Sequence, residues 1–164
     1  MGSVFSQWAK TTFKDIEGRI FNTAEQFMFF HKAKLFNDLN IMEEIMKTKD
    51  PKKQKALGRK VKNFSEEKWN EYKLDIVTLG NFYKFSQNEE ALKEMFRYEQ
   101  SFVEASPVDN IWGIGLHWND PLAENKKTWK GQNLLGKALN ETKRIIKEND
   151  LEKQIFLENK LYLR

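Results

Sequence analysis

Trp69, Tyr72, Lys73, Ile76, Gly80 and Tyr83 recur at three- and four-residue steps. That period predicts a helix, the longest of the chain, with Ser65 as its N-cap. A glycine inside such a stripe costs about 1 kcal/mol relative to alanine, so Gly80 marks close packing or room for a ligand. Upstream, Thr23-Ala24-Glu25-Gln26 matches a capping box. The helix it opens runs to about Phe36 and carries Phe27, Met28, Phe29 and Phe30 around most of its circumference, which assigns it to the interior. Asp38 to Thr48 reads as a short second helix with Ile41, Met42, Ile45 and Met46 inward. Asp50-Pro51, an N-cap followed by proline at the first helical position, starts a basic segment that ends near Val61.

Ser86-Gln87-Asn88-Glu89 reads as another capping box, opening a helix with Leu92, Met95 and Phe96. A last long helix follows Trp129–Gly136, buries Leu135, Ala138, Leu139, Thr142 and Ile146, and fades near Asp150. Strand signals are sparse: a hairpin turn at Asp15–Arg19 leading into Ile20-Phe21, and a short strand over Phe102–Ala105. Residues 119–128, with Pro121, form a mobile connection, and the tail 151–164 docks as a helix or a strand. The pattern is that of a mainly α domain, α+β only through a few short strands.

Composition narrows this little and charge narrows it more. A chain of 164 residues suits one domain around a single core. Thirteen Phe, five Trp and four Tyr supply a large core and the means to stack a flat ligand. The absence of cysteine excludes disulfides, a thiolate nucleophile and a cysteine-bound zinc. His31 and His117 are too few for most metal sites, so neither a metal nor a cofactor is expected. Without a signal peptide or a spanning apolar run, a cytoplasmic location away from membranes is expected. The net charge of +4 hides a concentration over residues 47–62, where eight Lys and Arg face Asp50 alone. Such a segment attracts phosphates, DNA included, or else forms a solvated helix face.

Candidate chemistry gathers in two places. Residues 103–115 pack Pro107, Asp109, Trp112, Gly113 and Gly115 into one loop, where scaffold-held binding groups concentrate. The same residues also fit a strand, a proline turn and a second strand, with Asp109 serving the turn. On the Thr23-capped helix, Glu25, Phe29, Lys32 and Phe36 share one stripe. Glu25 there either complements the helix dipole or supplies a carboxylate to a site.

Several stretches in this order and spacing resemble the NADAR (YbiA-like) family. They are Phe5-Ser6-Gln7-Trp8, Thr23-Ala24-Glu25-Gln26, His31-Lys32-Ala33, Leu35-Phe36-Asn37-Asp38 and Leu57-Gly58-Arg59. They continue with Trp69, Lys84-Phe85-Ser86-Gln87-Asn88, Glu104-Ala105-Ser106-Pro107, Asp109, Ile111-Trp112-Gly113-Ile114-Gly115 and Trp129–Gly136. The resemblance implies a single YbiA-like multihelical domain over 1–150, with 151–164 as an extension of unassigned role. It implies a metal-independent N-glycosidase acting on ADP-ribose-like or phosphorylated ribosyl ligands, with no obligate protein partner. One branch of the family is associated with phosphorylated riboflavin-pathway intermediates, another with removal of ADP-ribose from guanine in DNA. The family's glutamate, tryptophan and aspartate fall on Glu25, Trp69 and Asp109, the expected catalytic set. Lys32, Arg59, Trp112, Gly113, Gly115 and Asn133 are the expected substrate-binding residues. The basic segment favours ADP-ribosylated DNA over the riboflavin intermediate; a non-catalytic ADP-ribose or nucleic-acid binding module is the alternative of a different class.

Overall fold

The structure, a computed structural model, describes residues 3–163. Helix starts follow their caps. The Thr23 hydroxyl accepts from the Gln26 N–H at 3.0 Å and opens α1 (Ala24–Leu35). Asp38 caps α2 (Leu39–Lys47), Asp50 caps α3 (Pro51–Gly58) and Ser65 caps α4 (Glu66–Ser86), each accepting a main-chain N–H inside its own first turn. Then come α5 (Glu89–Arg97), α6 (Leu134–Glu148) and α7 (Leu151–Tyr162). The sheet consists of β1 (Phe13–Lys14) antiparallel to β2 (Ile20–Phe21), with Phe13 opposite Phe21.

α4 is the central element. Ile76, Leu79 and Tyr83 on one side of it join a core built with the hairpin, α1, α2 and α7, while Val77 and Phe85 on the other join a core with α5 and α6. A helix buried on two faces has no polar stripe to spare. From Ile76 to Phe85 α4 is buried at every position but Phe82, while its first two turns are largely polar and exposed. A Cβ at Gly80 would lie 2.7 Å from the Phe27 ring, so this glycine permits close packing of α1 on α4.

The tail forms α7 and seals the first core with Leu157 and Leu161. The Tyr83 hydroxyl donates to Glu158 at 2.9 Å and the Tyr162 hydroxyl to Asp15 at 3.1 Å. His31 is buried against Phe27, hydrogen-bonded to Tyr162, and burial holds its pKa well below the usual range. It is a core histidine. Among the described residues no helix is long and apolar enough to cross a membrane.

Two local expectations are corrected. Ser86 does not cap α5: α4 continues through it, its hydroxyl donates to the Phe82 carbonyl, and α5 starts after Asn88 without a side-chain cap. Phe102–Ala105 forms no strand among the described residues; the Glu104 N–H donates instead to the Asn133 side chain. Residues 119–128 contain two 3-10 turns, Pro121–Glu124 and Lys126–Thr128, against which the Trp129 indole donates to the Ala123 carbonyl.

Candidate active site

A cleft of about 840 Å³ opens between α1, α3, α4, α6, the N-terminal segment and the 102–112 loop. From α1 it receives Glu25, Phe29 and Lys32, spaced to share one helix face. Trp69 enters from the first turn of α4, Lys55 and Arg59 from the end of α3, and Asp109 and Trp112 from the loop.

The N-terminal segment is fastened by buried polar contacts. The Lys84 ammonium, fully buried, donates to the carbonyls of Val4 at 2.6 Å and Ser6 at 3.0 Å, and burial lowers its pKa to about 8. The side-chain amides of Gln7 and Asn81 pair reciprocally, each bond 3.1 Å long. The Gln7 carbonyl accepts the Glu25 N–H, one of the donors left open at the start of α1. Trp8 thereby comes beside the Glu25 carboxylate, near enough to favour its charged form.

Glu25 is 8% exposed. Burial raises its pKa, opposed by Lys55, Trp8 and Arg59. Its Oε2 is buried and has no hydrogen-bond partner among the described residues. A buried carboxylate oxygen without a donor is costly, and Glu25 is one of the residues that line the cleft. Asp109 is held differently: Oδ1 accepts the N–H groups of Ile111 at 2.9 Å and Trp112 at 2.8 Å. This turn fixes the side chain, and Oδ2 makes no hydrogen bond among the described residues.

Lys32 donates to the Gly58 carbonyl at 3.0 Å and lies over the rings of Phe64 at 4.7 Å and Trp69 at 5.7 Å. Burial, then the nearby Arg59, lowers its pKa. Arg59 itself is exposed at the rim and forms no ion pair among the described residues. Gly58 lets this corner close, since a Cβ there would fall 2.0 Å from Phe29.

Glu25, Trp69, Asp109, Lys32, Arg59 and Trp112 thus meet at one cleft, whereas Gly113, Gly115 and Asn133 do not line it. Gly113 is buried, and a Cβ there would lie 2.9 Å from the carbonyl oxygens of Asp109 and Glu104; the close approach it permits is protein against protein. Gly115 has φ +69° and packs against Asn110 and Lys130. Asn133, left-handed at the start of α6, accepts the Glu104 N–H and donates to the Phe102 carbonyl. The N–H groups of Asn133, Leu134 and Leu135 are taken by the carbonyls of Gly113, Ile111 and Trp112. Three N–H groups at the start of α6 are thus spent on the loop rather than offered to a ligand. These three residues strap the loop to α6.

Glu104, Trp8 and Lys55 line the cleft and were not singled out by sequence reasoning. Glu104 and Trp8 belong to the quoted motifs; their approach to the cleft depends on contacts far apart in the chain. Among the described residues no three His, Asp or Glu side chains cluster to hold a metal ion. A second groove, of about 510 Å³, runs between α2 and α3 and is lined by Lys47, Lys49, Lys53 and Lys60 with Glu44 and Thr48. α3 therefore carries cations on two flanks, Lys55 towards the cleft and Lys53 towards the groove.

Fold and cleft together define a mainly helical domain whose carboxylate- and indole-lined pocket is rimmed by cations. The chain belongs to the NADAR domain family, whose model matches residues 2–147. It is 44% identical over 141 residues to the N-glycosidase R617 of Acanthamoeba polyphaga mimivirus, covering 83% of each chain. Protein irg-1 of Caenorhabditis elegans is 39% identical over 126 residues, which span 75% of this chain and 59% of that one. The NMR structure of YbiA from E. coli superposes with a TM-score of 0.69 at 26% identity, covering 91% of this chain and 80% of that one.

Proposed function

We propose that this N-glycosidase hydrolyses the bond between ribose C1′ and a base nitrogen, and that its substrate is ADP-ribose carried on guanine in DNA or a related nucleotide. The N-glycosidase class rests on the family and on the identity to the mimiviral enzyme. The observation that carries the chemistry is the unpartnered, buried Oε2 of Glu25 in the same cleft as Asp109 and Trp69.

Breaking a C1′–N bond builds positive charge on the sugar. The Asp109 carboxylate, oriented by two main-chain N–H groups, stabilises that charge. Glu25 takes the proton of the attacking water: a base whose pKa is raised towards the working pH accepts it more readily. Trp69 offers a ring to stack on the base or the adenine, and Lys55 and Arg59, which line the same cleft, are cations a diphosphate could use. The Lys49–Lys53–Lys60 groove on the far flank of α3 supports a polyanionic substrate, because a free riboflavin intermediate with one phosphate has no use for it.

The test is a substrate panel read by mass spectrometry: an oligonucleotide with ADP-ribosylated guanine, modified RNA, and the phosphorylated riboflavin intermediate. Release of free ADP-ribose from the DNA is expected to be fastest. Faster turnover of the riboflavin intermediate overturns the substrate assignment. Binding of all three without turnover identifies a binding module instead.

A further inference from the structure

We propose that Glu104 is the proton donor to the departing base nitrogen, a third carboxyl group with a role separate from those of Glu25 and Asp109. The assignment rests on the N-glycosidase reading above. An exocyclic amine or ring nitrogen leaves poorly as an anion, so a reaction of this class needs an acid beside the leaving group as well as a base for water.

Glu104 is the side chain that meets those requirements. It lines the cleft with Asp109, and the main chains of the two residues converge on Gly113. Its root is rigid: its N–H donates to the Asn133 side chain at 2.9 Å, and its carbonyl accepts from Ile114 at 2.9 Å and Ser106 at 3.0 Å. Its carboxyl group makes no hydrogen bond among the described residues, so it is free to donate. Burial, and then the nearby Asp109, raise its pKa, which favours the protonated form that a donor needs. The other ionisable groups lining the cleft are Glu25 and Lys32 from α1 and Lys55 and Arg59 from α3; α4 and α6 contribute only aromatic and aliphatic side chains.

As the C1′–N bond breaks, its electron pair passes to the nitrogen, which takes the Glu104 proton. Water adds its oxygen to C1′ and gives a proton to Glu25. Glu25 then releases that proton to solvent and Glu104 regains one, so the cycle closes without a metal or redox partner.

The experiment compares wild type with Glu104→Gln on whichever of the panel substrates wild type turns over. Glu104→Gln is expected to lose a hundredfold or more in kcat, the scale of a missing general acid, while binding ADP-ribose within about threefold of wild-type affinity by calorimetry. Glu104→Asp, which keeps a carboxyl group, should retain more activity than Glu104→Gln. In Glu104→Ala, formate should restore turnover, more so as the pH falls. Glu104→Gln turning over at the wild-type rate overturns the assignment, as does a loss explained by weakened ADP-ribose binding or left untouched by formate. If wild type turns over none of the substrates, the N-glycosidase reading fails first and takes this assignment with it.

Discussion

The main-chain N–H of Glu25 donates to the main-chain carbonyl of Gln7 at 3.1 Å, tying the first turn of α1 to the turn that carries Trp8. One bond thus closes the cleft at the N-terminal side and delivers an indole to the carboxylate. The segment that makes this possible hangs on Lys84 and Asn81, both fully buried on α4.

Lys84 therefore has a pH signature. Its ammonium titrates near 8 when folded, against 10.5 when solvated. Between those values the unfolded chain binds more protons, so this residue's contribution to stability rises with pH. The burial penalty at neutral pH is on the order of 3 kcal/mol and is lifted as the pH climbs through that window. Wild type should gain on Lys84→Met between about pH 8 and pH 10.5 in urea unfolding. A difference that stays constant with pH contradicts a buried charge.

Gly58→Ala places a Cβ inside the Phe29 ring. The expected cost is about 1–3 kcal/mol, the range for overpacking, with weaker ADP-ribose binding as Phe29 is pushed into the cleft. Thermal unfolding and calorimetry measure the two effects.

Much of this architecture is legible in the sequence because its signals are local. Thr23, Asp38, Asp50 and Ser65 cap helices by reaching their own first turns, a contact a four-residue window contains. Ser86 misleads for the same reason: the window shows a cap, but the apolar run through Phe85 holds the backbone helical one turn longer. The Glu25, Phe29 and Lys32 face is likewise readable from helical spacing. Gly113, Gly115 and Asn133 are not, because glycine-rich loops look alike whether they approach a ligand or another stretch of main chain. Glu104 and Trp8 reach the cleft through Asn133 and Gln7–Asn81, pairings separated by tens of residues.

Trp69 should behave as a stacking surface. A base on an aromatic ring is worth about 1–3 kcal/mol, so Trp69→Ala should weaken ADP-ribose binding roughly tenfold to a hundredfold. Trp69→Phe should keep most of the affinity. Equal losses for the two variants, measured by calorimetry, contradict stacking.

The groove beside α3 predicts a salt effect. Reversing Lys49, Lys53 and Lys60 to Glu should weaken binding of modified DNA and reduce the salt slope by about 3, close to one unit per lost phosphate contact. Affinity for free ADP-ribose, which needs only the cleft, should stay as it is.

The most direct test of the account is release of ADP-ribose from an ADP-ribosylated guanine oligonucleotide by wild type, Glu25→Gln and Asp109→Asn. Asn at 109 can still accept the Ile111 and Trp112 N–H groups, so the loop should keep its turn. Wild type should release the sugar nucleotide, and each variant should lose at least about a hundredfold in rate while still binding ADP-ribose. Either variant working at the wild-type rate would contradict a cleft in which both carboxylates act on one bond.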